Sequence, residues 1–271
     1  MPDGLGAGRR RVDNRGEGRM PALFLAHGNP MNAIADNEFT RALGRIASEV
    51  PRPDAILVVS AHWLTRGTHV LAADPPRTIH DFGGFPPELY AVQYPAPGAP
   101  AHAALVKELL PEVQLDYEWG LDHASWAVLR HMWPAADVPT FELSLDVAAS
   151  PQAHWDLGRR LAPLRDEGVL VIGSGNIVHS FAGVVWDDEA KPRPWAEEFD
   201  AFVAEALTRG NETALVHYEA AGPAARQAVP TNEHYLPLLY PAAMCTQHDQ
   251  VTFPYVGIEM ASMSMRCVRF G

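Results

Sequence analysis

The sequence predicts an α/β protein: a single domain with a mixed, largely parallel central sheet flanked by helices and a metal site at the carboxyl ends of the strands. Short apolar runs alternate with helical periodicity along most of the chain, as they do in crossover units around a parallel sheet. Those runs are continuously apolar rather than alternating, as expected of strands covered on both faces. Three of them are followed closely by a histidine, and open α/β sheets bind ligands just outside the carboxyl ends of their strands.

Taken in order, residues 1–19 are rich in Gly and Arg and poor in large apolar side chains, so a disordered tail is expected there, with one domain over 20–271. The first strand is expected over Ala22–Ala26, with His27 directly after it, and a helix over Phe39–Glu49. The run AILVVSAHW predicts a strand at Ala55–Ser60 with His62 just beyond its end, and His69–Ala72 a further strand. The proline-rich, aromatic segment Asp74–Gly98 is too long for a linker and predicts a structured loop over a site. Helices follow at Pro100–Leu110 and Trp126–Met132, the latter preceded by Asp122 and His123, then a strand at Thr140–Ser144 and a helix at Pro151–Leu164. A strand at Val169–Gly173 leads through a glycine-rich turn to His179, and a helix spans Pro194–Thr208. Thr231 or Asn232 can cap a helix carrying Glu233 and His234 in its first turn. The C-terminal stretch from Val251 has β-like character suited to edge strands.

Composition narrows the function. With 271 residues and 47% hydrophobic side chains the chain can bury a large core. The net charge is −12, although the tail carries five arginines against Asp3, Asp13 and Glu17. An acidic body argues against nucleic acid as a partner. No apolar run is long enough to cross a bilayer, and the N-terminus lacks the apolar core of a signal peptide. A cytoplasmic protein is expected, with Cys245 and Cys267 as reduced thiols.

Twelve histidines are present, and their placement matters more than their number. His27, His62 and His179 should face one crevice; His234 is the fourth candidate, unless it and Glu233 lie on a solvated helix end. Imidazoles suit zinc and non-haem iron. Four ligands would close a site, whereas three would leave room for water or substrate and free the fourth histidine as an acid or base. Asp81, beside His80, and Asp122, beside His123, could orient neighbouring imidazoles. The GSGN turn lacks the third glycine of a dinucleotide fingerprint, and Ser174 is not in a nucleophile elbow because Ile172 holds the first glycine position.

The ordered motifs AHGNP, SAHW, TIHDFGGFP, GLDHASW, GSGNIVHS and PTNEHYLPLLY resemble those of the DODA-type extradiol dioxygenases, relatives of the class III protocatechuate 4,5-dioxygenase catalytic subunit. The resemblance covers Met20 to Gly271. It implies a divalent metal held by His27, His62 and His234, with His179 as an extra metal contact or the catalytic base. It implies that His123 handles the substrate hydroxyl from the second sphere. Zinc is the metal expected in the protein as purified and Fe²⁺ the metal of catalysis, since zinc has no redox chemistry. The implied reaction inserts O₂ into a catechol such as L-DOPA to give a muconic semialdehyde. The wider class uses two histidines and a glutamate, so Glu233 and His234 compete for the third ligand position. Phe82, Phe85, Tyr90, Trp63 and Trp126 are expected to wall the site, or else to be core aromatics. The partners implied are a catechol and O₂, with no nucleic acid or membrane, in a monomer or small homo-oligomer. The alternative is a zinc-dependent hydrolase or a non-catalytic metal-binding protein on the same fold.

Overall fold

The computed structural model describes residues 18–187 and 190–271. Eight strands form the central sheet: β1 (Ala22–Ala26), β2 (Ala55–Thr65), β3 (His69–Leu71), β4 (Gln114–Asp116), β5 (Thr140–Asp146), β6 (Val169–Gly175), β7 (Val251–Tyr255) and β8 (Cys267–Phe270). Their order is β4-β3-β5-β2-β6-β1-β8-β7. The middle four, β5, β2, β6 and β1, are mutually parallel. Antiparallel pairing enters on both sides, between β3 and β5 and from β1 through β8 to β7. The expected single α/β domain with a mixed, largely parallel sheet is what forms.

The cause lies in the apolar runs. All of β1, and β2 from Ala55 to Ala61, are buried, as is the whole of β6. At roughly 1.5–3 kcal/mol for each fully buried Val, Leu, Ile or Phe, these strands anchor the core. Helices cover the sheet: α1 (Glu38–Ser48), α2 (Pro100–Leu109), α3 (His123–Met132), α4 (Pro151–Leu161) and α5 (Pro194–Thr208). An Asn37–Thr40 capping box starts α1, which packs on α3. No helix among the described residues is long and apolar enough to cross a membrane, and Cys245 and Cys267 are both free thiols.

Several boundaries differ from expectation for local reasons. Strand β2 runs on to Thr65, so His62 lies within it, at the irregularity between Val59 and Leu64 in its pairing with β5. Helix α3 begins at His123 rather than Trp126, because the Asp122 side chain caps it by accepting from Ala124 N. Helix α4 stops at Leu161, and a 3₁₀ turn carries Ala162–Glu167 to Gly168 at φ +75°. Segment 231–235 is a turn, not the first turn of a helix; the 3₁₀ helix starts at Leu236. The His234 carbonyl accepts from Asn176 N instead of from a helical donor. Segment 74–98 contains a two-residue strand at Arg77–Thr78 and a short helix at Pro87–Tyr90. At the C-terminus only β7 is an edge; β8 lies inside the sheet. The expected tail falls, except for Gly18 and Arg19, outside the described residues, and the Arg19 guanidinium donates to Ala162 O at 2.8 Å.

Candidate metal centre

Five histidines meet where the parallel strands end. His27 follows β1 directly, and its backbone N–H donates to Gly175 O at 3.2 Å. His62 projects from the irregular stretch of β2, its N–H bonded to Ser60 Oγ. His123 is the first residue of α3, and His179 lies in the loop after β6. His234 arrives through a feature of β6: a Cβ at Gly175 would stand 2.1 Å from His234 O, and one at Gly173 would stand 2.1 Å from Pro237 O. The glycines of VLVIGSGN therefore clear a path for the 234–237 backbone to lie on the strand.

His27, His62 and His234 each offer a ring nitrogen within 4.8 Å of the others. Each also has its Nδ1 engaged. His27 Nδ1 faces Ser174 Oγ at 3.3 Å. That hydroxyl spends its proton on Ala124 O at 2.6 Å, so it accepts from the imidazole. His62 Nδ1 lies 3.2 Å from Asp81 Oδ2, and His234 Nδ1 donates to Glu233 Oε1 at 3.0 Å. With Nδ1 donating in His27 and His234 and facing a carboxylate in His62, each Nε2 is left to offer its lone pair, the arrangement of metal-ligating histidines. His27 Nε2 and His62 Nε2 stand 3.3 Å apart. Two such lone pairs repel unless a cation lies between them, and nitrogens bound tetrahedrally at about 2.0–2.1 Å are about 3.3–3.4 Å apart. The residues fit a divalent cation.

Electrostatics point the same way. Burial, reinforced by neighbouring histidines, pushes His27 well below the usual imidazole range and His62 down to about 2. His234 is also lowered by burial. Burial would raise Asp81 and Glu233, but bonds from His123 and His234 respectively outweigh it and hold both carboxyls near about 2. The site thus presents neutral imidazoles backed by two ionised carboxylates.

His123 Nδ1 also donates to Asp81 Oδ2, at 2.9 Å, and its backbone N–H donates to Asp81 Oδ1 at 3.0 Å. One carboxylate therefore lies against two imidazoles and turns His123 Nε2 away from itself. The His179 ring stacks on His234 with centroids 3.6 Å apart and planes 4° from parallel. A ring nitrogen of His179 also lies within 4.8 Å of ligand atoms of Glu233 and His234. Burial lowers His179 to about 3.

A cavity of about 560 Å³ opens over the five histidines, walled by Phe82, Phe85, Phe181, Trp186, Met260 and Met263. Of the aromatics expected there, Phe82 and Phe85 line it; Trp63, Tyr90 and Trp126 do not. Trp63 instead stacks on Trp119 at 5.6 Å, and buried Trp126 donates to Ile79 O at 2.7 Å. A more open groove of about 730 Å³ between α1 and β7 contains none of the five histidines.

Asp122 contacts no imidazole in the way expected of it. Its carboxylate accepts from Ser60 Oγ at 2.6 Å and caps α3, and burial beside the Asp81 charge pushes it up to about 6. Behind it lies Glu142, fully buried, accepting from Asp122 N and Trp119 Nε1. Sequence reasoning passed over Glu142, although an acid inside the strand-like run TFELS was a signal. It also passed over Ser174 as the acceptor for His27, for which the sequence carries no signal.

A buried set of neutral imidazoles backed by carboxylates, opening on an apolar cavity, marks a protein equipped to hold a first-row divalent ion beside an organic ligand. Comparison with known proteins refines that class. A family profile described as the catalytic LigB subunit of aromatic ring-opening dioxygenase matches residues 20–264. The 4,5-DOPA dioxygenase extradiol of Escherichia coli (strain K12) is 49% identical over 93% of this chain and 95% of its own. That of Beta vulgaris is 40% identical over 80% of this chain and 83% of its own. The crystal structure of an uncharacterised Escherichia coli K12 protein superposes with a TM-score of 0.82 at 45% identity, covering 93% of this chain and all of the other. The chain belongs to the family of aromatic ring-opening dioxygenases of the LigB catalytic-subunit type, enzymes that use a non-haem divalent metal.

Proposed function

We propose that this enzyme opens a catechol ring extradiol, beside the diol, at a divalent metal held by His27, His62 and His234. L-DOPA is the first substrate to test because relatives carry that name. The observation that carries the reading is the convergence of three imidazoles, with Nδ1 of His27 and His234 bonded to Ser174 and Glu233 and Nδ1 of His62 3.2 Å from the Asp81 carboxylate. The ion, Fe²⁺ in the active form and zinc in the protein as purified, would supply Lewis acidity toward the diol, and iron the redox step with O₂. His234 rather than Glu233 is the third ligand, since the Glu233 carboxylate is committed to His234 Nδ1.

The chain's own groups do the rest. His123, oriented by the bond from its Nδ1 to Asp81, is placed to accept a hydroxyl proton through Nε2, and Asp81 then stabilises the imidazolium. His179, stacked on His234 and lining the cavity, would act on the substrate side as a second proton-handling group. Phe82 sits edge-on to His123 and Phe85 packs edge-on to Phe82, and the two exclude water.

The test is oxygen uptake by metal-stripped protein reloaded anaerobically with Fe²⁺ or Zn²⁺ and then given L-DOPA. Iron-dependent uptake with a yellow ring-opened product, lost in His62→Ala, is expected. Hydrolytic activity with zinc and no uptake with iron would sink the reading in favour of a zinc hydrolase.

A further inference from the structure

The cavity is larger than one ring requires. About 560 Å³ lies in the range that takes drug-sized ligands, so most of it must receive what the ring carries. Its lining holds two carboxylates, Asp81 and Glu233, and no lysine or arginine among the described residues. Beyond the histidines and carboxylates the wall is mostly aromatic, aliphatic and sulfur-bearing, with Asn29 and Thr231 its neutral polar side chains. At the mouth Phe181 and Trp186 are 64% and 73% exposed, and the Phe181 ring sits edge-on to His179 at 5.1 Å. Large apolar side chains held in water beside a cavity gain when a ligand covers them.

Charge counting gives the sign of the selection. A divalent ion is balanced by the Asp81 and Glu233 carboxylates, and a bound catecholate adds at least one negative charge. A carboxylate on the substituent would be a further anion in an apolar wall with no cation to meet it, and an unpaired buried charge is costly. An amino-acid side chain fares better than a benzoate because its ammonium can approach Glu233, but its carboxylate still lacks a partner.

We infer that the site selects a catechol whose substituent is uncharged and apolar, an alkyl or aryl group, and that Phe181 and Trp186 receive that group. This rests on the ring-opening reading, and the two are tested apart by measuring binding as well as turnover. Binding of 4-butylcatechol, L-DOPA and 3,4-dihydroxybenzoate to the metal-loaded enzyme is followed calorimetrically without oxygen, and steady-state kinetics are followed with it.

4-Butylcatechol is expected to bind at least about tenfold more tightly than 3,4-dihydroxybenzoate, with L-DOPA between them and kcat/KM in the same order. Trp186→Ala raises the KM for 4-butylcatechol about tenfold with little change in kcat. Trp186→Arg, a change at an exposed position, narrows the gap by about fivefold by supplying the missing cation. Equal or tighter binding of the dihydroxybenzoate or L-DOPA overturns the inference and leaves ring opening standing. The expected binding order without oxygen consumption for any catechol supports the inference about the cavity and overturns the ring-opening reading. No binding of 4-butylcatechol overturns the inference outright.

Discussion

Asp81 Oδ2 takes a bond from His123 and lies 3.2 Å from His62 Nδ1, and Glu233 Oε1 takes a bond from His234. Each carboxylate fixes which nitrogen of its imidazole is protonated, so neutralising either should loosen the site without removing a proposed ligand. Asp81→Asn and Glu233→Gln are each expected to weaken zinc binding about 10- to 100-fold, read by titration against a competing chelator. Unchanged affinity in both would show that their partners are not ligands. Asp81→Asn should in addition lower kcat, since the same carboxylate supports His123. Glu233→Gln, which touches His234 alone, should act mainly through metal affinity. The convergence of His27, His62 and His179 was legible in the sequence because AHG, SAHW and IVHS each follow an apolar run. Ser174 was not, because a hydroxyl buried against a ring nitrogen leaves no pattern along the chain. The Asp122–Asp81 distinction was equally hidden: both precede or neighbour a histidine, and only the folded loop shows which carboxylate reaches an imidazole.

Strand β6 decides where His234 sits. Its Gly-Ser-Gly run was read from sequence as a turn toward His179 and as a failed nucleotide and nucleophile motif, yet Gly175 is where the backbone of residue 234 crosses the strand. Gly175→Ala places a methyl against the His234 carbonyl. It is expected to cost about 1–3 kcal/mol and lower Tm by roughly 2–10 °C, together with at least a tenfold loss of metal affinity. Gly44→Ala is the control. Its Cβ would meet nothing nearer than His131 O at 3.6 Å, and alanine favours the α1 helix, so Tm should hold or rise. Equal effects from the two changes, by calorimetry, would reject a special role for Gly175. The strands and long helices were legible because burial on both faces demands unbroken apolar runs. The turn at 231–235 was not, because Asn176, more than fifty residues away in sequence, claims the carbonyl that a helix would have used.

The molecule as a whole also records its histidines in its response to acid. His154 is fully buried in α4, bonded to Tyr240 Oη at 2.8 Å, and burial lowers it to about 4. The unfolded chain takes up a proton on this residue as pH falls through about 6.5, while the folded chain does so only near 4. Its contribution is therefore present above about 6.5 and lost as pH falls toward 4, with a slope of at most about 1.4 kcal/mol per unit. His154→Gln in metal-free protein should flatten the Tm–pH curve in that window relative to the parent, while the site histidines act equally in both. Identical curves would show that His154 titrates normally in the fold. The proposed ligands His27, His62 and His234 also come from the beginning, the first quarter and the far end of the chain. An ion bound to all three is a clasp that can close only after β1, β2 and the strand-crossing segment have found one another, so metal capture marks the completion of folding rather than its nucleus.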